Sequence, residues 1–215
     1  MEFSNYINIK KQLPSNVNLL AVSKGFPTIN IRSIYKLGQR DFGESKFQEA
    51  NQKQVDLKDL DDIKWHFIGN IQSNKIRKIV ENFEYIHSVD SIKKIIKIAN
   101  VSQEIKKIQK IMIQVKLTED PYKGGILSNE LLKRWDEIKS FKSIKVLGLM
   151  TINPKGLDNS QNYALFNECR ELANLLKIKD CSMGMTNDWK VAIKAGATWV
   201  RLGSLIFGQR KMVRN

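Results

Sequence analysis

The sequence predicts an α/β protein built as a single (β/α)8 TIM barrel, with one leading N-terminal helix ahead of the first strand. Eight short apolar segments have the length and composition of buried strands, and helix-compatible segments separate them. Strict alternation of strand and helix is typical of a parallel sheet with helical crossovers. Eight such units favour closure into a barrel.

Each strand candidate is short and apolar, and the first is followed at once by Gly25 and Pro27, which indicate a turn. The helix candidates place apolar residues at helical spacing between charged ones, as in the Ile and Lys pattern of 92–97. The residues before 19 predict the leading helix. The strand candidates are 19–24, 41–44, 65–69, 85–89, 111–116, 146–151, 180–184 and 198–203. The helix candidates are 29–37, 45–55, 73–81, 91–107, 129–141, 161–178 and 189–195.

The length and composition indicate one domain that spans 1–215. A chain of 215 residues with 42% hydrophobic content is long enough to bury one sizeable core. It has only 12 Gly and 4 Pro, and no Ser- or Gly-rich linker divides it. The alternative fold is a doubly wound open sheet, but no Gly-x-Gly-x-x-Gly follows the first strand candidate.

Targeting and redox signals favour a cytoplasmic protein. No run of about eighteen apolar residues indicates a membrane span, and the polar segment 1–11 lacks the apolar core of a signal peptide. Cys169 and Cys181 have neither metal-ligand nor disulfide-framework spacing. A reducing compartment fits this cysteine usage, and no metal site is expected.

The net charge of +14 raises the question of an acidic partner. Many of the lysines alternate with isoleucine at helical spacing, which is the pattern of solvated helix faces. No zinc-finger, ribonucleoprotein-type or helix-turn-helix signature accompanies them. Sequence-specific binding of nucleic acid is therefore disfavoured, although a basic binder of nucleic acid or of an acidic partner stays a hypothesis.

Lys24 is the first candidate site residue, because it ends the first strand candidate. Alternation places it on one face with Leu20 and Val22. An amine at the end of a buried strand is costly to charge, and a neutral amine in a dry pocket is suited to Schiff-base chemistry with an aldehyde. The alternative is a lysine that extends to solvent.

The loops after the seventh and eighth strand candidates are suited to phosphate binding. Barrels of this type place active sites at the carboxyl ends of the strands and often hold phosphate after the last two. Thr186 or Asn187 can cap the helix after strand seven. Gly203 allows close approach of the backbone after strand eight, where Ser204 adds a hydroxyl. Each feature could also be structural, as a helix cap or a tight turn.

Arg201 adds a cation to the same end of the barrel. It shares one face of strand 198–203 with Trp199 and Gly203, while Val200 and Leu202 share the other. Packing of the apolar face against helices points Arg201 into the barrel, where a charge requires a partner. That partner is either a carboxylate of the barrel or a ligand atom.

A lysine, an arginine and a phosphate cradle on one rim suggest an aldehyde-bearing phosphorylated cofactor, and pyridoxal 5′-phosphate (PLP) fits. Lys24 would carry the aldehyde as an internal aldimine. Thr186, Gly203 and Ser204 would hold the phosphate, and Arg201 would face the pyridine nitrogen.

Three further residues of interest, Met150, His66 and His87, lie in strand candidates. Met150 ends the sixth strand candidate, where it could line the cofactor ring or belong to the core. His66 and His87 are the only histidines, and both lie in strand candidates. No Cys or carboxylate spacing supports a metal site with them, which favours two histidines satisfied within the core.

Together these motifs resemble the pyridoxal phosphate homeostasis proteins, the YggS/PROSC-like family, whose barrel is similar to the N-terminal barrel of alanine racemase. No single block is specific, but together they span most of the chain. The matching blocks are Leu20-Ala21-Val22-Ser23-Lys24; Asp41-Phe42-Gly43-Glu44 with Gln48-Glu49-Ala50; Trp65-His66-Phe67-Ile68-Gly69 with Gln72-Ser73-Asn74-Lys75; His87-Ser88-Val89-Asp90-Ser91; Gly148-Leu149-Met150; Ser182-Met183-Gly184-Met185; and Val200-Arg201-Leu202-Gly203 with Ile206-Phe207-Gly208.

The resemblance implies that Lys24 is the aldimine lysine, that Thr186, Gly203 and Ser204 lie at the phosphate, and that Arg201 lies at the ring nitrogen. Many relatives have Ser in place of Thr186, so a hydroxyl is kept. Ser45 stands where relatives often have Asn, and Lys116 also stands in place of Asn. The resemblance further implies a monomer that holds, buffers or delivers PLP, with PLP-dependent apoenzymes as candidate partners.

Chemistry favours a carrier over an enzyme. An arginine beside the pyridine nitrogen discourages its protonation, which makes the ring a poorer electron sink. Alanine racemases work under that limit with a second base, a tyrosine from a separate C-terminal domain of the partner subunit. That domain is not expected in a chain that ends at Asn215. The alternative is a PLP-dependent amino-acid racemase-type enzyme.

Overall fold

Eight parallel strands close into a barrel in the computed structural model, which describes residues 3–118 and 124–209. Strands β4 and β5 pair with each other, and β9 returns to β1, so the barrel has no open edge. The two-residue strand β6 pairs with the end of β5, outside the barrel. The strands are β1 (Asn18–Val22), β2 (Asp41–Glu44), β3 (Lys64–Phe67), β4 (Tyr85–Val89), β5 (Gln109–Lys116), β6 (Ile126–Leu127), β7 (Ile144–Met150), β8 (Asp180–Ser182) and β9 (Trp199–Leu202).

Helices follow the barrel strands and cover the outside of the barrel, and α1 precedes β1 as the sequence predicts. A turn of 3-10 helix, Ser73–Lys75, leads into α4. The helices are α1 (Ser4–Gln12), α2 (Thr28–Lys36), α3 (Phe47–Asp56), α4 (Ile76–Asn82), α5 (Ile92–Glu104), α6 (Ser128–Ser140), α7 (Asn159–Leu175), α8 (Trp189–Lys194) and α9 (Ser204–Phe207). No helix in the described ranges is both long enough and apolar enough to cross a bilayer.

Strand alternation divides the core into two layers. Leu20, Met112, Met150 and Trp199 form a small cluster inside the barrel. Strand residues that face the opposite way, such as Leu19 next to Leu20, belong to the larger core between the strands and the helices. The burial of both faces accounts for the apolar runs in the sequence.

Side-chain caps mark the starts of two helices, α5 and α7. Helix α5 buries the stripe Ile92, Ile95 and Ile98, and the Ser91 hydroxyl accepts a hydrogen bond from the Lys94 amide. Helix α7 begins with a capping box, in which the side chains of Asp158 and Gln161 each accept a hydrogen bond from the other's backbone amide.

Two differences from the predicted elements are a shorter first strand and one extra strand. Strand β1 ends at Val22 rather than at 24, because Ser23 opens a turn in which its carbonyl accepts from the Phe26 amide at 3.0 Å and Gly25 has φ of +74°. Strand β6 was not predicted, since two residues are too few to show a strand period. The alternation of strand and helix is therefore interrupted between β5 and α6.

Candidate functional site

The candidate site lies at the carboxyl ends of four strands that are neighbours in the barrel, in the order β7, β8, β9 and β1. Leu20 of β1 pairs with Arg201 of β9, so the ends of these two strands lie side by side. The structure thus brings to one rim residues that are far apart in sequence. The predicted site residues at these strand ends and in the loops that follow are Lys24, Met150, Thr186, Arg201, Gly203 and Ser204.

Lys24 lies in the turn after β1, two residues beyond the end of the strand, and it is half-buried. The preceding residue, Ser23, is fully buried and continues the ladder through a 3.0 Å hydrogen bond from its amide to the Gly43 carbonyl. The backbone that carries Lys24 is therefore attached to the sheet on one side.

A buried ionic cluster fixes the same turn from the helix side. The Lys53 ammonium on α3 donates to the Ser23 carbonyl at 2.8 Å, to Glu44 at 2.7 Å and to Glu49 at 2.7 Å. The Ser23 hydroxyl donates to Glu44 at 2.7 Å, and the Gly25 amide donates to Glu49 at 2.5 Å. Both residues beside Lys24 are thus held by α3 and the end of β2.

Burial decides the electrostatics of this cluster. Burial raises the pKa of Glu44 above its usual value, and the adjacent Lys53 ammonium offsets only part of that shift. Burial acts in the same direction on Glu49, but hydrogen bonds from Lys53 and Gly25 outweigh it and hold the pKa of Glu49 below its usual value. Sequence reasoning did not assign a role to this cluster, although the Glu49 and Lys53 spacing on one helix was a signal for it.

Arg201 points into the barrel as predicted, with a relative exposure of 5%. Its guanidinium donates to the Ser182 carbonyl at 2.5 Å, the Ser182 hydroxyl at 3.0 Å and the Thr151 carbonyl at 2.9 Å. These partners are neutral, so the carboxylate partner considered from the sequence is not what holds the guanidinium. Burial lowers the pKa of Arg201 to about 10, against the attraction of Asp188.

The hydroxyls of Thr186 and Ser204 meet across the loops after β8 and β9, with 3.0 Å between their oxygen atoms. Thr186 is half-buried and Ser204 is exposed. The expectation that Thr186 or Asn187 caps the next helix was wrong, because α8 begins at Trp189 after Asp188. The Asp188 carboxylate instead accepts from the Met185 amide at 2.6 Å, which leaves the Thr186 hydroxyl directed to Ser204.

Two glycines permit the close packing at this rim. A Cβ at Gly203 would lie 3.0 Å from the carbonyl oxygen of Val22, at the end of β1. Gly184 has φ of +90°, and a Cβ there would lie 2.6 Å from the Cβ of Ala192. The loop after β8 therefore approaches α8 as closely as its backbone allows.

Met150 and Trp199 lie below this rim, inside the barrel, with Leu20 and Met112. Met150 is almost fully buried, and the next residue, Thr151, supplies a carbonyl to Arg201. Met150 therefore belongs to the packed interior of the barrel.

His66 and His87 are both fully buried and contact each other, with 2.9 Å between His66 Nδ1 and His87 Nε2. Within 3–118 and 124–209, no group of three or more His, Cys, Asp or Glu side chains is arranged to hold a metal. The two free cysteines, Cys169 and Cys181, are buried in the core.

Comparison with known proteins places this chain in a family. The family model for the alanine racemase N-terminal domain matches residues 3–211. A protein from Synechocystis named pyridoxal phosphate homeostasis protein is 42% identical over 213 residues, which cover 96% of this chain and 98% of the relative. A protein of the same name from Pseudomonas aeruginosa is 38% identical over 199 residues, covering 92% and 86% of the two chains.

Solved structures agree with these matches. PipY from Synechococcus elongatus with PLP bound is 39% identical, with a TM-score of 0.92 over 96% of this chain and 99% of that one. The same protein without PLP superposes with a TM-score of 0.94. An alanine racemase from Clostridium difficile shares the fold alone, at 14% identity and a TM-score of 0.77, over 95% of this chain and 56% of that chain.

The fold and the rim therefore define a (β/α)8 barrel of the alanine racemase N-terminal class. More narrowly, the chain belongs to the pyridoxal phosphate homeostasis protein family.

Proposed function

We propose that this protein binds pyridoxal 5′-phosphate at the carboxyl ends of β7, β8, β9 and β1 and acts as a carrier or buffer of the cofactor. The observation that carries the proposal is the meeting of the Thr186 and Ser204 hydroxyls on the same rim of the barrel as the buried guanidinium of Arg201. PipY, a close structural neighbour, is described with PLP bound.

The residues present fit the chemistry of the cofactor. Phosphate oxygens accept hydrogen bonds, and Thr186 and Ser204 offer two hydroxyl donors at one point. Gly203 lies beside Val22 and has no side chain, so a phosphate can approach its main chain. In this proposal Arg201 faces the pyridine nitrogen, and Met150 and its neighbours fill the space beneath the ring.

Lys24 supplies the covalent attachment in this proposal. Its amine would hold PLP by condensing with the aldehyde group, whose oxygen would leave as water. The turn that presents the amine is held by Lys53 through Ser23 and by Glu49 through Gly25. Both neighbours of Lys24 are thus fixed, which reduces the entropy lost when the link forms.

Arg201 favours holding the cofactor over turning substrates over. Bound PLP serves in enzymes as an electron sink, and this depends on the charge at its ring nitrogen. The pKa of Arg201, about 10, keeps the guanidinium charged at neutral pH, which opposes a second positive charge beside it. A racemase-type activity is the competing outcome of the tests below.

The first test is an absorbance spectrum of the protein mixed with PLP, followed by borohydride reduction and peptide mapping. We expect one reduced adduct on Lys24 and its loss in Lys24→Ala. Lys36→Ala, which removes an exposed lysine from helix α2, is the matched control and should keep the adduct. An adduct that maps to another lysine would overturn the proposed site.

The second test separates a carrier from an enzyme. The loaded protein is incubated with single L-amino acids, and in parallel with the cofactor-free form of a PLP-dependent aminotransferase. We expect recovery of aminotransferase activity and no stereoinversion above that of free PLP. Stereoinversion that disappears in Lys24→Ala would instead assign the racemase-type function.

A further inference from the structure

A continuous chain of hydrogen bonds crosses the interior of the barrel from β2 to β9. Asp41 Oδ1 lies 3.0 Å from His66 Nε2, and His66 Nδ1 lies 2.9 Å from His87 Nε2. His87 Nδ1 lies 3.0 Å from the Ser182 hydroxyl, which in turn lies 3.0 Å from a guanidinium nitrogen of Arg201. The chain uses one residue from each of five strands.

The interior of this chain is isolated from solvent. His66, His87 and Ser182 have no exposed surface, whereas the Asp41 side chain at the start of β2 is 22% exposed. Aromatic rings enclose the imidazoles: Tyr85 stacks on His66 at 4.2 Å. Trp199 stands edge-on to His87. The chain therefore links a partly exposed carboxylate to the buried cation of the candidate site.

The donors and acceptors fit one direction. Arg201 can only donate, so the Ser182 oxygen accepts from it, and the Ser182 hydroxyl donates a hydrogen bond to His87 Nδ1. His87 then carries its proton on Nε2 and donates to His66 Nδ1. His66 in turn carries its proton on Nε2 and donates to the Asp41 carboxylate, which has only acceptors.

Donation in the opposite direction along these hydrogen bonds is disfavoured at Asp41. If the His87 proton lay on Nδ1, His87 Nε2 would have to accept from His66 Nδ1. The His66 Nε2 lone pair would then face the Asp41 carboxylate at 3.0 Å, which is repulsive. Both imidazoles are neutral in the favoured direction. This agrees with burial, which lowers the pKa of His66 and lowers that of His87 further.

We propose that Asp41, His66 and His87 are positioning residues, which set the direction of this chain and thereby direct the Ser182 oxygen toward Arg201. Asp41 provides the terminal acceptor, and the tautomers of the two histidines are coupled through their shared hydrogen bond. The consequence for ligand binding depends on the function proposed above, since Arg201 is the group that the chain holds in place.

The first test needs no cofactor. Long-range proton–nitrogen NMR of the cofactor-free protein reports which imidazole nitrogen carries the proton, and the protein has only two histidines to assign. We expect both in the neutral Nε2–H form. In Asp41→Ala, which has no acceptor, we expect the Nδ1–H form to appear at both histidines together. An Nδ1–H form or an imidazolium in the unaltered protein would overturn the inference.

The second test asks whether the chain acts on the site. Loss of one hydrogen bond remote from the ligand leads us to expect about a fivefold weaker PLP affinity in Asp41→Ala. Asp180→Ala is the matched control, because Asp180 also begins a barrel strand but bonds Thr198 and not this chain. It should leave both the tautomers and the affinity unchanged.

The NMR and affinity measurements also show which proposal has failed, the positioning role or the binding of PLP. Unchanged tautomers in Asp41→Ala would sink the positioning role even if PLP binds normally. Nε2–H tautomers in a protein that does not bind PLP would sink only the proposed function. If Asp41→Ala does not fold, Asp41→Asn keeps an oxygen acceptor without the charge. It should retain both tautomers, and a change of tautomer in it would overturn the inference.

Discussion

At the scale of single residues, the candidate site depends on side chains that would be unremarkable alone. Thr186 and Ser204 are ordinary hydroxyl residues in loops, but their oxygens lie 3.0 Å apart. Arg201 is a buried cation held by two carbonyls and a hydroxyl, with no carboxylate among those hydrogen-bond partners. Three neutral partners leave its charge available to a ligand.

The hydroxyl pair gives a prediction about the phosphate. In Thr186→Val with Ser204→Ala, we expect the affinity for PLP to fall by about a hundredfold or more, because two hydrogen bonds to a charged group are lost and each contributes about 1.5 kcal/mol or more. Pyridoxal, which lacks the phosphate, should bind the altered and unaltered proteins equally. Equilibrium titrations with both compounds measure the difference. An equal loss for the two compounds would show that the hydroxyls do not hold the phosphate.

At the scale of elements, the rim is shaped by the way each strand passes into its following loop. The turn after β1 is held by the Lys53 cluster, and the loop after β8 is pressed against α8 at Gly184. Both contacts involve backbone that carries or adjoins a predicted site residue. Changes at these points therefore test how the loops are held.

Gly184→Ala is expected to destabilise the fold by about 3 kcal/mol, because φ is +90° and the new Cβ would lie 2.6 Å from the Cβ of Ala192. Gly156→Ala is the matched control, since Gly156 has φ of +82° but nothing within 4 Å of a Cβ. Its cost should be about 1 kcal/mol from backbone strain alone. Urea unfolding of the two variants gives the comparison, and equal losses would contradict the close packing.

Lys53→Met is expected to cost about 3 kcal/mol of unfolding free energy, because it leaves Glu44 buried without its cation. Burial already raises the pKa of Glu44 above 4.5. Because the folded state then holds this proton more tightly than the unfolded state does, protonated Glu44 contributes to folding stability at low pH. That contribution is lost as pH rises through the raised pKa. The loss in Lys53→Met should therefore be smaller in acid than at neutral pH. Urea unfolding at both pH values measures it, and Lys58→Met, on an exposed lysine just after α3, is the control. A loss that is independent of pH would contradict the role of Glu44.

At the scale of the whole molecule, closure of the barrel places two neutral imidazoles in its interior. Burial lowers the pKa of both histidines below 6.5, while an unfolded chain leaves them near that value. Below that pH the unfolded state binds more protons than the folded one. The histidines therefore stabilise the fold at neutral pH, and this contribution is lost as pH falls.

Acid stability tests this directly. Between about pH 6 and about pH 5, each neutral buried histidine should add up to about 1.4 kcal/mol per pH unit to the loss of unfolding free energy. In His87→Gln the unfolding free energy should fall less steeply with decreasing pH, by the contribution of one histidine, whatever the variant's absolute stability. Urea unfolding across that range measures both slopes. Parallel curves for the two proteins would mean that His87 is not kept neutral by the fold.

The barrel and most of the proposed rim could be predicted from the sequence because both depend on local patterns. Strands β2 and β4 have the predicted bounds, and Arg201 and Trp199 face inward as alternation requires. The boundary at Lys24 moved because Ser23 turns the chain through contacts with residues far along the sequence. The start of α8 moved to Trp189 for a local reason, since the Asp188 carboxylate accepts a hydrogen bond from the Met185 amide in the loop before the helix.

The sequence by itself determined the alternation of eight barrel strands with helices, the face of β9 that carries Arg201 and the chemical types gathered after strands β1, β8 and β9. Only the tertiary structure decided which of these groups touch. The hydrogen-bonded chain is built from separate strands, which carry Asp41, His66, His87 and Ser182. Alternation within one strand predicts which face a residue occupies, but it does not predict which residue of another strand lies beside it. Their hydrogen bonds exist because closure of the barrel brings these strands around one interior.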